Sequence, residues 1–211
     1  MKFQINFKMA FVAALSSLLI ANTSIGQDSI YVDSIEQSRM AKNDELKSKK
    51  TSPLQKADRK NFHALNYFDV DESWNVRARY HTITNGEVLD FFTSIGAIKK
   101  FQKHGYFVFK HESLIDTLYA YKRVYPEGYV SNYPPYLFVP FKDFTSGNET
   151  YGGGRYIETV VFEKDQNVML DFNTCYNPYC AYGDGFSCPI PPIENFVNGR
   201  VEAGEKAYGD H

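Results

Sequence analysis

The chain has 211 residues, a formal net charge of −2 and 43% hydrophobic residues, and aromatic residues make up 16% of it. This length suits a single domain with a full hydrophobic core. The slightly acidic balance lacks the basic surface that binds a phosphate backbone, so we exclude nucleic acid as a partner. The many Tyr and Phe residues favour β-strands.

Residues 1–26 have the three parts of a secretory signal peptide. Lys2 and Lys8 are basic, 9–20 are apolar, and Ser24-Ile25-Gly26 places small residues before a cleavage point. The apolar run is shorter than the about 20 residues that span a bilayer. We therefore expect cleavage near Gly26, a mature chain without a membrane span, and a location in the periplasm or outside the cell.

A helical arm is predicted over residues 27–61, before a single β domain at 62–211. Residues 28–50 contain many charges and good helix formers, which indicates an exposed helix. Ser52-Pro53-Leu54-Gln55 has the form of a capping box that opens a short second helix.

Alternation with a period of two begins at Val76 and predicts a mostly β domain. A turn at His104-Gly105 predicts one hairpin, and the polar segment 163–167 predicts a second. Strands without intervening helices favour an antiparallel sandwich or a partly open barrel. The predicted strands are 76–82, 89–93, 98–103, 106–110, 114–124, 137–141, 156–162 and 168–173, with a brief strand at 200–203.

Asp171 and Asn173 are predicted to project from one face of the last long strand, because residues two apart share a face. A carboxylate and an amide in this arrangement can orient a ligand, hold a hard cation or position a water. Alternatively, they cap the turn that follows. The long loop beyond the strand adds further candidate ligand-binding residues, which are Asn177, Glu194, Asn195 and Glu205. No known metal-loop spacing is present, so we predict no metal and no cofactor.

The glycine-rich turn 150–155 ends in Arg155. Its backbone N–H groups could form an anion-binding nest beside the guanidinium, although the turn lacks the lysine and hydroxyl of a nucleotide-binding loop. Alternatively, Arg155 enters a structural ion pair.

The three cysteines lie between residues 175 and 188. In an oxidising compartment, Cys180 and Cys188 are well placed to form a disulfide in the irregular loop, which leaves Cys175 as a free thiol at a strand end.

Tyrosines recur between 119 and 136 in a proline-containing stretch. They could form a platform for a ligand, or they could pack the ends of strands.

Several linked motifs resemble an uncharacterised bacterial family catalogued as domain of unknown function 1684. The likeness covers roughly 52–206 and is carried by the runs Phe144 to Arg155, Asp171-Phe172-Asn173, Tyr176-Asn177-Pro178, Cys180-Ala181-Tyr182, 187–192, Glu194-Asn195 and 203–206. The resemblance implies a shared C-terminal β domain and no particular reaction. In longer relatives a region similar to forkhead-associated domains precedes it, for which this chain has no room.

We expect a polar pocket, formed by the 151–155 turn, the end of the last strand and the disulfide loop, that binds a small polar or anionic ligand. The alternative is a hydrolase in which Asp171 or Glu194 acts as the general acid or base, while Arg155 stabilises negative charge.

Overall fold

The computed structural model describes residues 29–209, so the predicted signal peptide lies outside the described residues. Helix α1 spans 29–47 and helix α2 spans Lys56–Asn61. The strands are β1 Asn75–Thr82, β2 Val88–Phe92, β3 Ile98–His111, β4 Leu114–Arg123, β5 Tyr136–Phe141, β6 Arg155–Val160 and β7 Gln166–Asp171. The prediction of a mostly β domain preceded by a helix is confirmed. Within the described range, no helix is both long and apolar enough to cross a membrane.

All seven strands belong to one antiparallel sheet. Six of them follow the order β6-β5-β4-β3-β1-β7, and β2 lies off this path and pairs with β3. The long strand β3 pairs with two strands along one edge. It pairs with β2 over residues 98–102 and with β1 over residues 105–109. Just after β7, Tyr176 forms two backbone hydrogen bonds with Tyr156 of β6, at the other edge of the sheet. The two edges therefore approach each other, and the sheet curls into a partly open barrel.

The predicted hairpin at His104-Gly105 is wrong, since β3 runs through both residues. The pairing with β4 shifts between Lys103 and Gly105, so His104 is the extra residue of a β-bulge. A Cβ on Gly105 would lie 2.2 Å from the Tyr80 hydroxyl oxygen, which explains why glycine occupies the position. The glycine marks a close approach of two strands, and the real turn follows at Glu112, where φ is 51°.

Three other local predictions are also wrong. Strands β6 and β7 do not form a hairpin, because β7 pairs with β1 and β6 pairs with β5. Residues 200–203 form no strand. The capping box fails because α2 begins only at Lys56, and the Ser52 hydroxyl accepts the N–H of Leu54 instead.

The bulge in β3 allows one sheet to build two separate apolar clusters. Paired residues share a face, so Lys103 lies on the same side as Tyr121, whereas Gly105 lies on the side of Ala120. Beyond the bulge, Phe107 and Phe109 enter the main core inside the barrel. Before it, Phe101 joins an aromatic cluster on the opposite face with Phe91, Tyr121, Phe138 and Tyr156.

Helix α1 packs on the domain through a stripe of buried residues. Ile35, Arg39 and Leu46 are buried and lie at helical spacing on one side of α1. Leu46 belongs to a third cluster with Leu54, Phe62, Leu65, Ala181 and Tyr182. Helix α1 therefore packs on Ala181 and Tyr182, which lie between Cys180 and Cys188 in the sequence.

The amide of Asn195 joins β4 to β5 where these strands separate. The two strands are paired only at Tyr121 and Phe138. The fully buried Asn195 side chain accepts the N–H of Tyr119 at 2.9 Å and donates to the carbonyls of Tyr119 and Pro140 at 2.9 and 2.7 Å. These bonds replace the missing hydrogen bonds between the strands.

We expect Asn195→Ala to lower the free energy of unfolding by about 3 kcal/mol, because it leaves several buried backbone groups without partners. Urea denaturation followed by tryptophan fluorescence measures the change. The matched control is Asn198→Ala in the same loop, whose exposed amide makes only a 3.4 Å hydrogen bond to Asp116. Equal stability of the two variants would contradict the bridging role.

Candidate functional site

Asp171 and Asn173 lie 3.1 Å apart at the end of β7, and they hold neighbouring segments in place. The prediction that they share a strand face is wrong, because β7 ends at Asp171 and Asn173 lies in the short 3-10 turn that follows. The Asp171 carboxylate accepts the backbone N–H of Asn173 at 2.9 Å and the hydroxyl of Tyr31 at 2.8 Å. The Asn173 side chain bonds to both the N–H and the carbonyl of Asp71. The two side chains thus cap the following turn and fasten the start of α1 to the sheet.

Arg155 enters the structural ion pair that the sequence left open. Its side chain is 1% exposed, and its guanidinium lies 2.7 Å from the fully buried carboxylate of Asp143. It also donates to the carbonyls of Val201 and Ala203. The guanidinium therefore joins the start of β6 to residues 201–205, which are called the C-terminal segment.

Asn177 and Glu205 form a second buried polar group beside Arg155. The Glu205 carboxylate accepts the N–H and the side-chain amide of Asn177 at 3.1 and 2.8 Å, and the hydroxyl of Tyr182 at 2.6 Å. Burial raises the pKa of Glu205 to about 7, although the three donors favour the charged form and partly offset the effect.

The two remaining candidates lie at the junction of β4 and β5. Asn195 bridges these strands, and Glu194 is bound by the Lys103 ammonium at 2.9 Å and by the Tyr121 hydroxyl at 3.1 Å. The candidates are thus divided among three places in the fold. Of the seven, Asn173 alone lines the cavity that lies between the sheet and α1.

The cysteines pair as predicted. Cys180 and Cys188 form a disulfide, and Cys175 is a buried free thiol. Burial raises the pKa of Cys175 to about 11, which disfavours the reactive thiolate. Gly204 packs directly on this thiol, since a Cβ there would lie 2.3 Å from the sulfur. Cys175 therefore fills the core beneath the C-terminal segment.

A cavity of about 1080 Å³ lies between the aromatic face of the sheet, helix α1 and the disulfide loop. Its floor is a row of rings in which Phe101, Phe138, Tyr156 and Tyr176 follow one another. The centroids of successive rings are 5.1, 4.7 and 5.8 Å apart. Such a surface favours a flat or elongated apolar body.

Two basic residues stand at one end of this floor. Arg123 pairs with Phe101 across β3 and β4, so its side chain lies on the aromatic face, and Lys99 lies on that face two residues before Phe101. The guanidinium of Arg123 is 5.1 Å from the Phe101 ring centroid and donates to the carbonyl of Lys100. Lys99 donates to the carbonyl of Ser187 in the disulfide loop.

No carboxylate neutralises this pair within residues 29–209, where neither side chain forms a salt bridge. Burial lowers the pKa of Lys99, and the charge of Arg123 lowers it further. Burial also lowers the pKa of Arg123. Two partly desolvated positive charges therefore face the cavity, with neutral carbonyls and aromatic rings as their partners.

The opposite wall of the cavity comes from α1, which contributes Arg39 and Lys42. Acidic neighbours on the same helix pair with both, since Glu36 lies 3.0 Å from Arg39 and Glu45 lies 2.9 Å from Lys42. Lys42 also lies 5.1 Å from the ring centroid of Tyr179 in the disulfide loop.

Sequence reasoning missed these four basic residues. The signal was the short pattern Lys99-Lys100-Phe101, which places a cation and an aromatic ring on one face of a strand. The position of Arg123 opposite Phe101 follows only from the pairing of β3 with β4, whose register shifts at the bulge. Of the tyrosines between 119 and 136, Tyr125, Tyr133 and Tyr136 line the cavity.

The raised pKa of Glu205 predicts a pH dependence of stability. With a pKa near 7 in the folded chain against an ordinary 4.5, the folded state holds this proton more tightly than the unfolded state. The resulting stabilisation is complete below pH 4.5 and is lost as the pH rises through 7, for a total of about 3 kcal/mol. Urea denaturation from pH 4.5 to 8 should show this loss in the wild type and its absence in Glu205→Gln. Parallel pH profiles of the two proteins would contradict it.

Comparison with known proteins gives a family and a fold. A family model described as "Protein of unknown function (DUF1684)" matches residues 60–206. An uncharacterised protein of Haloarcula marismortui, solved by solution NMR, is 30% identical with a TM-score of 0.66, and the match covers 88% of this chain and 99% of that one. No curated protein matches the chain. The matched family model includes all seven strands, and the chain belongs to the DUF1684 family.

Proposed function

We propose that this protein binds a small amphipathic anion in the cavity between the sheet, α1 and the disulfide loop. The observation that carries the proposal is the pair Lys99 and Arg123, which faces the cavity without a carboxylate partner among the described residues. The ligand's anionic group binds this pair, and its apolar body lies over the aromatic floor.

The energetics favour such a ligand. Two like charges that have lost part of their hydration repel each other, and an anion between them replaces the missing water and relieves the repulsion. Hydrogen bonds to charged groups are stronger than neutral ones, and a partly enclosed cavity screens them less than bulk water does. The rings of Phe101 and Phe138 then add apolar contact area.

Binding fits the cavity better than hydrolysis does. Neither Asp171 nor Glu194, the two candidate general acids or bases, is among the residues that line it. Glu158 is the one carboxylate in the described lining, and it accepts the hydroxyl of Tyr176 at 2.6 Å. The thiol of Cys175 is held protonated by burial.

Loss of the positive pair should weaken anion binding. We expect wild-type protein to bind biphenyl monocarboxylate more tightly than the neutral biphenyl carboxamide, and Arg123→Gln to lower the affinity for the acid about tenfold, because it removes a charged hydrogen-bond donor. Isothermal titration calorimetry measures both. The matched control is Lys122→Gln, the neighbouring lysine on β4, which does not line the cavity. Equal affinities for acid and amide would refute an anion site.

We further propose that the protein is exported and that it works in the periplasm or outside the cell. The basic, apolar and small-residue segments of 1–26 support this location, and so does the Cys180–Cys188 disulfide, since disulfides persist in oxidising compartments.

Export predicts a mature N-terminus at Gln27. N-terminal mass spectrometry of protein isolated from the cell envelope or the medium should identify a peptide that begins at Gln27, in its free or cyclised form. A Ser24→Tyr variant, which places a bulky residue three positions before the cleavage point, should accumulate as an unprocessed precursor. Intact Met1 in a cytosolic fraction of the wild type would contradict export.

A further inference from the structure

The cavity is lined by one more cationic group, Arg39, whose guanidinium is only partly hydrogen-bonded. Arg39 is 8% exposed and lines the cavity from α1. One of its terminal nitrogens, Nη1, donates to Glu36 at 3.0 Å. Its Nε and Nη2 are buried and have no hydrogen-bond partner among the described residues. Buried donors of this kind are rare in folded proteins, because each loses its hydrogen bonds to water.

These two nitrogens form one edge of the guanidinium. Nε and Nη2 point in nearly the same direction, and this edge matches the two oxygens of a carboxylate in a bidentate pair. The charge around Arg39 is already partly neutralised by Glu36. A singly charged carboxylate therefore suits the position better than a doubly charged phosphate.

Arg39 lies at the other end of the aromatic floor from Arg123. Its guanidinium carbon is 4.5 Å from the ring centroid of Tyr67. Tyr67 forms an isolated antiparallel β-bridge with Glu205. The backbone N–H of Glu205 in turn donates to the carbonyl of Cys175. Cys175 precedes Tyr176, the last ring of the floor.

Arg123, in contrast, lies over Phe101, the first ring. The disulfide loop contacts both α1 and β3, since Lys42 of α1 lies over the ring of Tyr179 and Lys99 of β3 donates to the carbonyl of Ser187. The two basic ends are therefore separated by the row of rings.

We infer that the ligand is an elongated dianion with a carboxylate at each end. One end binds Lys99 and Arg123, and the apolar body lies over Phe138 and Tyr156. The other end pairs with the unpartnered edge of Arg39, whose side chain turns towards the ligand on binding because neither nitrogen is exposed to solvent. This inference rests on the proposed function and specifies the class of ligand. It also gives α1 a direct role in recognition, since Arg39 is a binding residue.

The test compares matched acids by isothermal titration calorimetry on the mature chain. A biphenyl dicarboxylate with its acids at opposite ends should bind about tenfold more tightly than the biphenyl monocarboxylate, because the second carboxylate gains a charged bidentate pair. Terephthalate, with a single ring, is too short to reach both ends and should gain nothing over benzoate. A terphenyl dicarboxylate extends the series to three rings, and the gain should occur at two or three rings.

Arg39→Gln should abolish the advantage of the dicarboxylate over the monocarboxylate, and a far-UV circular dichroism spectrum like that of the wild type checks that the variant is folded. Lys47→Gln, an exposed change on the same helix, serves as the matched control and should retain the advantage. Arg39→Lys keeps the charge but loses the two-nitrogen edge, so it should lose most of the advantage.

The outcomes separate this inference from the proposed function. Equal affinities for mono- and dicarboxylates at every length, or an advantage that survives in Arg39→Gln, would overturn the second carboxylate site. Monocarboxylate binding that depends on Arg123 would still support the anion site in that case. Failure of the wild type to bind any of these acids would overturn both.

Discussion

The buried ion pair between Arg155 and Asp143 holds together the parts of the fold on which everything else depends. Its guanidinium binds the carboxylate and the carbonyls of Val201 and Ala203, and so fixes an irregular C-terminal segment to the first residue of β6. The segment cannot gain stability from a strand ladder of its own. Through Glu205 it positions Cys175 and Asn177, which lead into the disulfide loop. The part of the cavity that Cys175, Tyr176 and the disulfide loop form thus depends on one charged side chain inside the protein.

Local patterns in the sequence predicted much of the secondary structure and little of the pairing. The alternation from Val76 predicted β1 almost to the residue, and the loop positions of Cys180 and Cys188 predicted the disulfide. The glycine at 105 was misread as a turn because it serves a close approach to Tyr80, a contact between distant residues. The same limit applied to β6 and β7, since a polar segment between two strands does not reveal that they lie at opposite edges of the sheet.

The candidate site shows the same difference between what local sequence patterns predict and what contacts between distant residues decide. Polar residues concentrated near the C-terminus predicted a dense polar network, and such a network exists around Asn177 and Glu205, but most of its hydrogen-bonding capacity is used within the fold. The cavity lies beside it and is built from residues that are ordinary in sequence. Lys99, Arg123 and Arg39 come from two strands and a helix. Their convergence depends on the curl of the sheet and on the register through the bulge, which no local pattern encodes.

The docking of α1 has a consequence for how the chain acquires its structure. Tyr31 bonds to Asp171 across 140 residues, and Glu45 accepts the hydroxyl of Tyr179 across 134. Helix α1 therefore packs against residues that are synthesised more than 130 positions later. Contacts between such distant positions require closure of a very long loop, and they form slowly for that reason. While the chain is still being synthesised, the wall that carries Arg39 has no surface on which to pack. The cavity is consequently among the last features to be completed as the chain folds.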